Sequence, residues 1–323
     1  MVDPTEIKEI TQFKNYITKT RHAARVKEQE IDQSFFDDTF KITHLENLAN
    51  ISDQRKKEFE IRYGFVTEMA NGYTEQLIAS IPKVYVEPKE IKGKITNERK
   101  DGATRVAKLF NHWAYKEGKQ SHNPFKQTFK YVAFTRGEAW IYVPHRPELA
   151  MWDKRKMKMD WRETYPDIVP VHFIYYDPLV VYHEPVEDIE GKPRRVVCFY
   201  KRMSADIHAS YPLWKKYDTD NPGREVDFWL YADDSVIYAE AEDEPLFRDM
   251  KGELVNGDGR RENLYKVCPF AHVYSGWGTN TQSKAPEDLI MTRTKMIRGR
   301  VQEDCSMGID LSHNMHTKAW PTR

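Results

Sequence analysis

Between about residue 140 and residue 270 the chain breaks into short runs rich in β-branched and aromatic residues: 170–175, 179–182, 195–200 (RVVCFY), 226–231 (VDFWLY) and 235–238 (SVIY). Turn chemistry separates them, as at Glu190-Gly191-Lys192-Pro193, Asn221-Pro222-Gly223 and Asn256-Gly257-Asp258-Gly259. Strands joined by such local turns pair antiparallel, because a parallel pair needs a long crossover, usually a helix. This region therefore predicts an antiparallel sheet, and the helical patterns on either side of it make the class α+β.

Upstream, Ser52-Asp53 offers an N-cap. Phe59, Tyr63, Val66, Ala70, Tyr73 and Leu77 then recur at alternating spacings of 4 and 3, one face of a long helix. Ile81-Pro82 ends it, since the residue before proline is pushed out of the helical region. Residues 83–86 (KVYV) read as a short strand. A second helix is expected from about Glu98 to Tyr115, with Val106, Leu109, Phe110 and Trp113 on one side. A third follows Asn123-Pro124-Phe125, carries Phe129, Val132 and Ala133, and stops at Gly137, where Trp140 to Val143 begin a strand. Met203-Ser204 looks like a helix start with Ser204 as the cap. Residues 1–50 are polar, mixed in charge and weakly periodic, so they predict an arm with short helices.

The last element is again helical. Pro286, Glu287 and Asp288 suit a first turn, and Leu289, Met296, Ile297, Val301 and Met307 are its apolar members. Arg293, Lys295, Arg298 and Arg300 make it basic. The organisation expected is an arm at 1–50, a unit at 51–284 (helices 52–80 and 98–136, sheet about 140–275), a long helix at 285–312 and a short end at 313–323. No internal repeat or low-complexity tract is present.

Composition narrows the function classes. Lys+Arg and Asp+Glu balance at 50 each, which lacks the global basic signature of a nucleic-acid binder. Cys198, Cys268 and Cys305 are odd in number and far apart, so they predict neither a disulfide framework nor a CxxC metal knuckle and fit a reducing compartment. The N-terminus has no apolar h-region, and no run approaches 18 apolar residues; a soluble chain without signal peptide or membrane span is expected.

The chemical motifs are thin. Pro166-Asp167 followed by Glu190-Gly191-Lys192 mimics the acid, acid and lysine of metal-dependent nucleases, but Gly191 and Pro193 make the second half a turn. Asp233-Asp234, between two strands, reads as a hairpin turn rather than a two-carboxylate site. His183-Glu184 has no third ligand at usable spacing, and His313-x-x-His316 has no nearby Cys or acid to complete a set. Gly276-Trp277-Gly278 is not a dinucleotide loop, and no P-loop or GxSxG elbow exists. No enzyme and no cofactor is expected. The basic residues at 293–300 carry no interleaved aromatic for base stacking, so any contact with a polyanion would be loose and salt-dependent.

Taken in order, several stretches carry a resemblance. They are the helix ending ASIPKVYV at 79–86, the block KQTFKYVAFTRGEAWIYV at 126–143, YDPLVVY at 176–182, LYKVCPFAHVY at 264–274, and KAPEDL at 284–289. Over about 50–310 the chain resembles the portal protein of tailed double-stranded DNA bacteriophages, in the plan where a wing domain precedes the stem. The resemblance implies that 51–284 is the wing and 285–312 the stem helix, with the clip beginning near 313–323. A returning stem helix and a crown would follow in that plan, so the chain reads as ending near the clip.

It further implies a non-catalytic ring, dodecameric in assembled heads, at one capsid vertex. Double-stranded DNA would pass through it without sequence readout during packaging and ejection. The partners implied are further copies of the chain, the terminase large subunit that hydrolyses ATP, the major capsid or scaffolding protein and a head-tail adaptor. No membrane is involved, and the place implied is the virion, after assembly in the host cytoplasm. Arg293, Lys295, Arg298 and Arg300 become candidates for a channel or inter-subunit face. On this reading Asp177-Pro178 and Glu184-Pro185 are bends in the wing sheet. The alternatives are another virion ring or adaptor protein, and a metal-dependent nuclease built on Asp167, Glu190 and Lys192.

Overall fold

The computed structural model describes residues 6–47, 52–58, 60–78, 83–90, 93–119, 123–143, 173–184, 193–249, 251–263, 266–275 and 286–319. Their helices are α1 (Ile7–Tyr16), α2 (Ala23–Phe36), α3 (Thr43–Asn47), α4 (Asp53–Glu58), α5 (Phe65–Leu77), α6 (Asn97–Gly118), α7 (Pro124–Lys130), α8 (Ser204–Ser210), α9 (Pro286–Leu289) and α10 (Arg293–Ala319). The strands are β1 (Glu138–Tyr142), β2 (Ile174–Tyr176), β3 (Val181–His183), β4 (Val196–Met203), β5 (Glu225–Ala232), β6 (Val236–Ala241), β7 (Glu244–Pro245), β8 (Arg261–Glu262) and β9 (Phe270–Tyr274). The class is α+β, with antiparallel pairing throughout.

The strands form two sheets rather than one. A small sheet has the order β2-β1-β9, and a larger one runs β3-β4-β5-β6-β7 with β8 added on β6. In β4, β5 and β6 both alternating sets of side chains are apolar, so both faces of the larger sheet are buried. Val196, Cys198, Phe228, Leu230, Ala232, Ile237 and Ala239 share a core with Trp140, Tyr142 and Phe270 of the small sheet. Their neighbours Val197, Trp229, Tyr231, Val236 and Tyr238 face the other way, onto Ile10, Phe13 and Ile17. That is why FWLY in β5 reads as a continuous apolar run and not as an alternation. Burying each of those three N-terminal side chains contributes about 1.5–3 kcal/mol.

Residues 6–47 thus form no separate arm. A short π-helical segment, Ile17–Arg21, joins α1 to α2. α1 covers the larger sheet, and Phe35, Phe40, Ile42 and Leu45 then enter a helical core with Val66, Ala70, Phe134, Val301, Cys305 and Ile309. The expected helix over 52–80 is two helices. Gly64 between them has φ +60°, a left-handed turn that an unbroken helix cannot contain. Only Val66 and Ala70 of its predicted face are buried; Tyr63, Tyr73 and Leu77 are exposed and Phe59 lies outside the described residues. Residues 83–86 form no strand: the Asn111 side chain donates to the Val84 carbonyl at 2.9 Å and accepts from its amide at 2.6 Å.

Local signals fared better elsewhere. Asn123 caps α7 by accepting from Phe125 N at 3.0 Å, ahead of Pro124 at the first helical position. Asp233 makes the β5–β6 hairpin, accepting from Ser235 N and Val236 N at 2.7 and 2.6 Å. Ser204 is not a cap: it is the first helical residue of α8, and its hydroxyl donates to the Pro222 carbonyl at 2.9 Å. Residues 179–182 are not one strand either. Asp177 caps a 3-10 turn at Pro178–Val180, and this turn carries the chain from the small sheet at β2 to the larger one at β3. The last helix is interrupted at residues 290–292 and then runs to Ala319, so 313–319 continues it.

Candidate functional site

The four basic residues of α10 do not share a face. At about 100° per residue, 293 and 300 lie on one side and 295 and 298 on nearly the opposite one. The second pair points inward, onto α2. Arg298 donates to Asp32 Oδ1 at 2.9 Å, to Glu28 Oε2 at 3.1 Å and to the Glu28 carbonyl at 2.9 Å, while Lys295 lies 3.3 Å from Glu28. Thr292 ties the same place to the helix start: its hydroxyl donates to Asp32 Oδ2 at 2.6 Å and accepts from Lys295 N at 2.9 Å. Burial lifts the Asp32 carboxyl above its ordinary range, with Thr292 and Arg298 recovering only part of that rise. Burial also pushes Glu28 up, but Lys295 and Arg298 together bring it below the usual value.

Arg293 sits over the Tyr73 ring, 5.3 Å from its centre, and Arg300 remains 67% exposed beside Glu303 and Asp304. Reversing Arg298 to Glu is expected to cost about 3 kcal/mol or more, since it faces two acids in a half-buried clamp. Arg300→Glu is expected to stay within about 0.5 kcal/mol. Urea denaturation of both variants measures the contrast, and equal midpoints would show that the clamp carries no energy.

A second polar cluster, assembled from five separate elements, lies where the N-terminal helices meet both sheets. Its centre is Glu138 on β1, whose side chain, like that of Arg25, is fully buried. Arg25 of α2 donates to Glu138 Oε1, to the Pro178 carbonyl at 2.9 Å and to the Val181 carbonyl at 2.7 Å. Gln29, one turn along, donates to Glu138 Oε1 at 2.7 Å and to Arg136 O at 2.8 Å. On the other oxygen, Trp140 Nε1 donates at 3.1 Å and His272 Nε2 lies at 2.7 Å. His272 comes from β9, opposite Trp140 in the strand register, and their rings stack at 3.8 Å. Burial alone would raise the Glu138 carboxyl; the Arg25 guanidinium and then His272 overrule it and hold it well below the usual range.

Around this pair stand three buried imidazoles. His22 Nε2 donates to the His183 carbonyl at 2.8 Å, and its ring is 4.9 Å from that of His183, which lies 5.0 Å from His272. Burial, with Arg25 beside it, pushes His22 down to about 3. Burial and the neighbouring His272 and His22 rings hold His183 well below its ordinary value, and burial lowers His272 against the pull of Glu138. Arg136, next along the chain, binds Asp177 through two hydrogen bonds of 2.7 and 2.9 Å. Asp177-Pro178 is therefore a capped, ion-paired corner between sheets, and Glu184 pairs at 2.8 Å with Arg195, just before β4.

Scanned against models of known protein families, the chain matches none, and a search of curated proteins returns no match either. What the arrangement can do rests on its own chemistry. Glu138, His183 and His272 offer ligand atoms within 4.8 Å of one another. A divalent cation does not fit among them. Both Glu138 oxygens already accept two bonds each, and Arg25 supplies the one positive charge that this carboxylate balances. A further two charges at full burial would stand uncompensated. The set is a hydrogen-bonded ion pair that locks α2 to β1, β3 and β9.

In the sequence these residues stand apart: His183 has only Glu184 beside it, and Glu138, His272 and Arg25 belong to no chemical motif. The available signals were Glu138 as a charged residue on an otherwise apolar strand, and His22, Arg25, Gln29 and Asp32 at spacings of 3, 4 and 3, one polar face of a helix. Pro166-Asp167, Glu190-Gly191-Lys192 and Gly276-Trp277-Gly278 lie outside the described residues. Asp233 is held by the hairpin, as its turn chemistry implied. No helix among the described residues is long and apolar enough to cross a membrane.

Proposed function

We propose that the chain is a portal protein of a tailed double-stranded DNA bacteriophage, a non-enzymatic ring subunit at one capsid vertex. The observation that carries this reading is the last helix. α10 has 27 residues, a length of about 40 Å. Val301, Cys305 and Ile309 are buried on one side, while Met296, Met307, Leu311 and Met315 are exposed, the last two to 63% and 68%. Met307, Leu311 and Met315 follow at intervals of four, one stripe along the helix. A stripe of this kind in a single chain suits a helix that neighbouring copies bury when a ring closes. The order of helices, antiparallel sheets and terminal helix agrees with the sequence resemblance.

On this reading α10 belongs to the wall of an axial channel for DNA during packaging and ejection. Arg293 and Arg300, on its other flank from the α2 clamp, are the candidates for an inter-subunit or channel contact. The terminase large subunit, the capsid or scaffolding protein and a head-tail adaptor would be the remaining partners, and the virion the place of action. Mass photometry with negative-stain images tests the reading: a closed ring of about 12 copies, roughly 460 kDa for this 38.2 kDa chain, is expected. Leu311→Glu with Met315→Glu should reduce the assembly to monomers. A monomeric parent protein at micromolar concentration overturns the proposal.

A further inference from the structure

The Glu138 junction holds more titratable groups than it has charge to balance. His22 from the α1–α2 connection, His183 from β3 and His272 from β9 pack in a row, each at most 4% exposed at its side chain or residue. His22 Nδ1 and His183 Nε2 find no hydrogen-bond partner among the described residues. The charged groups facing them are Arg21 and Arg25 from the N-terminal segment and Glu138 from β1; the rings of Tyr182, Trp140 and Tyr274 complete the surroundings. One carboxylate therefore faces a guanidinium that already neutralises it and three imidazoles that docking holds in the neutral form.

We infer that this cluster is an acid-operated latch: protonation of His22, His183 and His272 releases the N-terminal helices α1 and α2 from the two sheets. A proton taken up by any of the three places an uncompensated positive charge beside Arg25 in a site closed to water, and the charge is relieved only when the helices lift and the imidazoles are hydrated. The sign follows from linkage. These histidines bind protons more weakly docked than released, so the docked state is fully favoured above the released value near 6.5 and loses ground as pH falls below it. At pH 5 the released form gains about 30-fold for a histidine that stays neutral while docked. Glu138 does not share this window, because Arg25 and then His272 overrule burial and hold its carboxyl well below the usual range.

Release would free the sheet face that Ile10, Phe13 and Ile17 cover, and with it the Glu28 and Asp32 clamp on α10. The latch thus links a change of pH to the position of the last helix, whatever that helix contacts.

Spin labels at Lys8→Cys and Asp218→Cys, both exposed positions, report the separation of α1 from the loop before β5. The three native cysteines are buried and would escape labelling. Double electron–electron resonance is expected to give one narrow distance distribution at pH 7.5 and a broad, longer one at pH 5, with the β-sheet signal in circular dichroism retained. The same labels in a His22→Gln, His183→Gln, His272→Gln protein should keep the narrow distribution at pH 5. A distribution that stays narrow to pH 5 in the parent overturns the inference without any variant. So does equal broadening in the histidine variant, or loss of the sheet signal in the same step.

Discussion

Glu138→Leu is expected to be among the most damaging single changes in this protein, lowering stability by about 3–5 kcal/mol, because it leaves the Arg25 guanidinium buried and without its counter-charge. Arg25 keeps its bonds to the Pro178 and Val181 carbonyls in that variant, but carbonyl dipoles do not replace a carboxylate. Gln29, Trp140 and His272 also lose their acceptor. Arg25→Met alone should cost a similar amount, now by stranding the carboxylate. The double variant Arg25→Met, Glu138→Leu removes both charges and should recover part of the loss, with Gln29, Trp140 and His272 still lacking their acceptor. Urea denaturation of the four proteins closes the cycle. A coupling energy above about 2 kcal/mol is expected, and additive losses would mean that the two side chains do not act as a pair.

Gly137→Ala is expected to cost about 2–4 kcal/mol, from two independent causes. The residue has φ +71°, where a side chain costs about 1–2 kcal/mol. A Cβ there would also lie 3.0 Å from Ile290 Cβ and 3.1 Å from the Met291 backbone nitrogen, and backbone cannot step aside as a flexible side chain can. Gly137 closes the turn after α7 with its amide on the Tyr131 carbonyl at 3.0 Å, while its carbonyl accepts from Ser275 N at 2.8 Å. It is the point at which β1, β9 and the segment before α10 converge. Gly72 is the control. It sits within α5 with nothing within 4 Å of an added Cβ and no positive φ, so Gly72→Ala should stabilise by about 0.5–1 kcal/mol. Thermal or urea unfolding of both variants would expose the contrast, and a mild effect at Gly137 would mean that residues 290–291 can yield.

The glycine that ends the third helical pattern was legible in the sequence; the reason it must be glycine was not, since Ile290 is 153 positions away. The same division runs through the candidate site. The Asp233 hairpin and the strands β4, β5 and β6 depend on residues within a few positions of one another and are legible in the sequence. The basic residues of α10 were visible as charges, but Arg298 acquires its role from Glu28 and Asp32 near the other end of the chain. A helical stripe of His22, Arg25, Gln29 and Asp32 reads as a solvated face when only apolar periodicity is counted. Its burial depends on Glu138 and Thr292, which no local pattern announces.

By itself, then, the sequence determined the α+β class, the antiparallel connectivity and most strand positions, because side-chain alternation and turn chemistry act over a few residues. Tertiary structure alone decided that the strands split into two sheets, that 52–80 breaks at Gly64, and that the polar residues 6–47 become the connector of the fold. Those outcomes turn on whether a polar side chain finds its partner away from water. A charge costs several kcal/mol to bury alone and little when matched, so the same Arg25 or Glu138 is a surface residue or a structural centre according to a neighbour more than 100 positions distant.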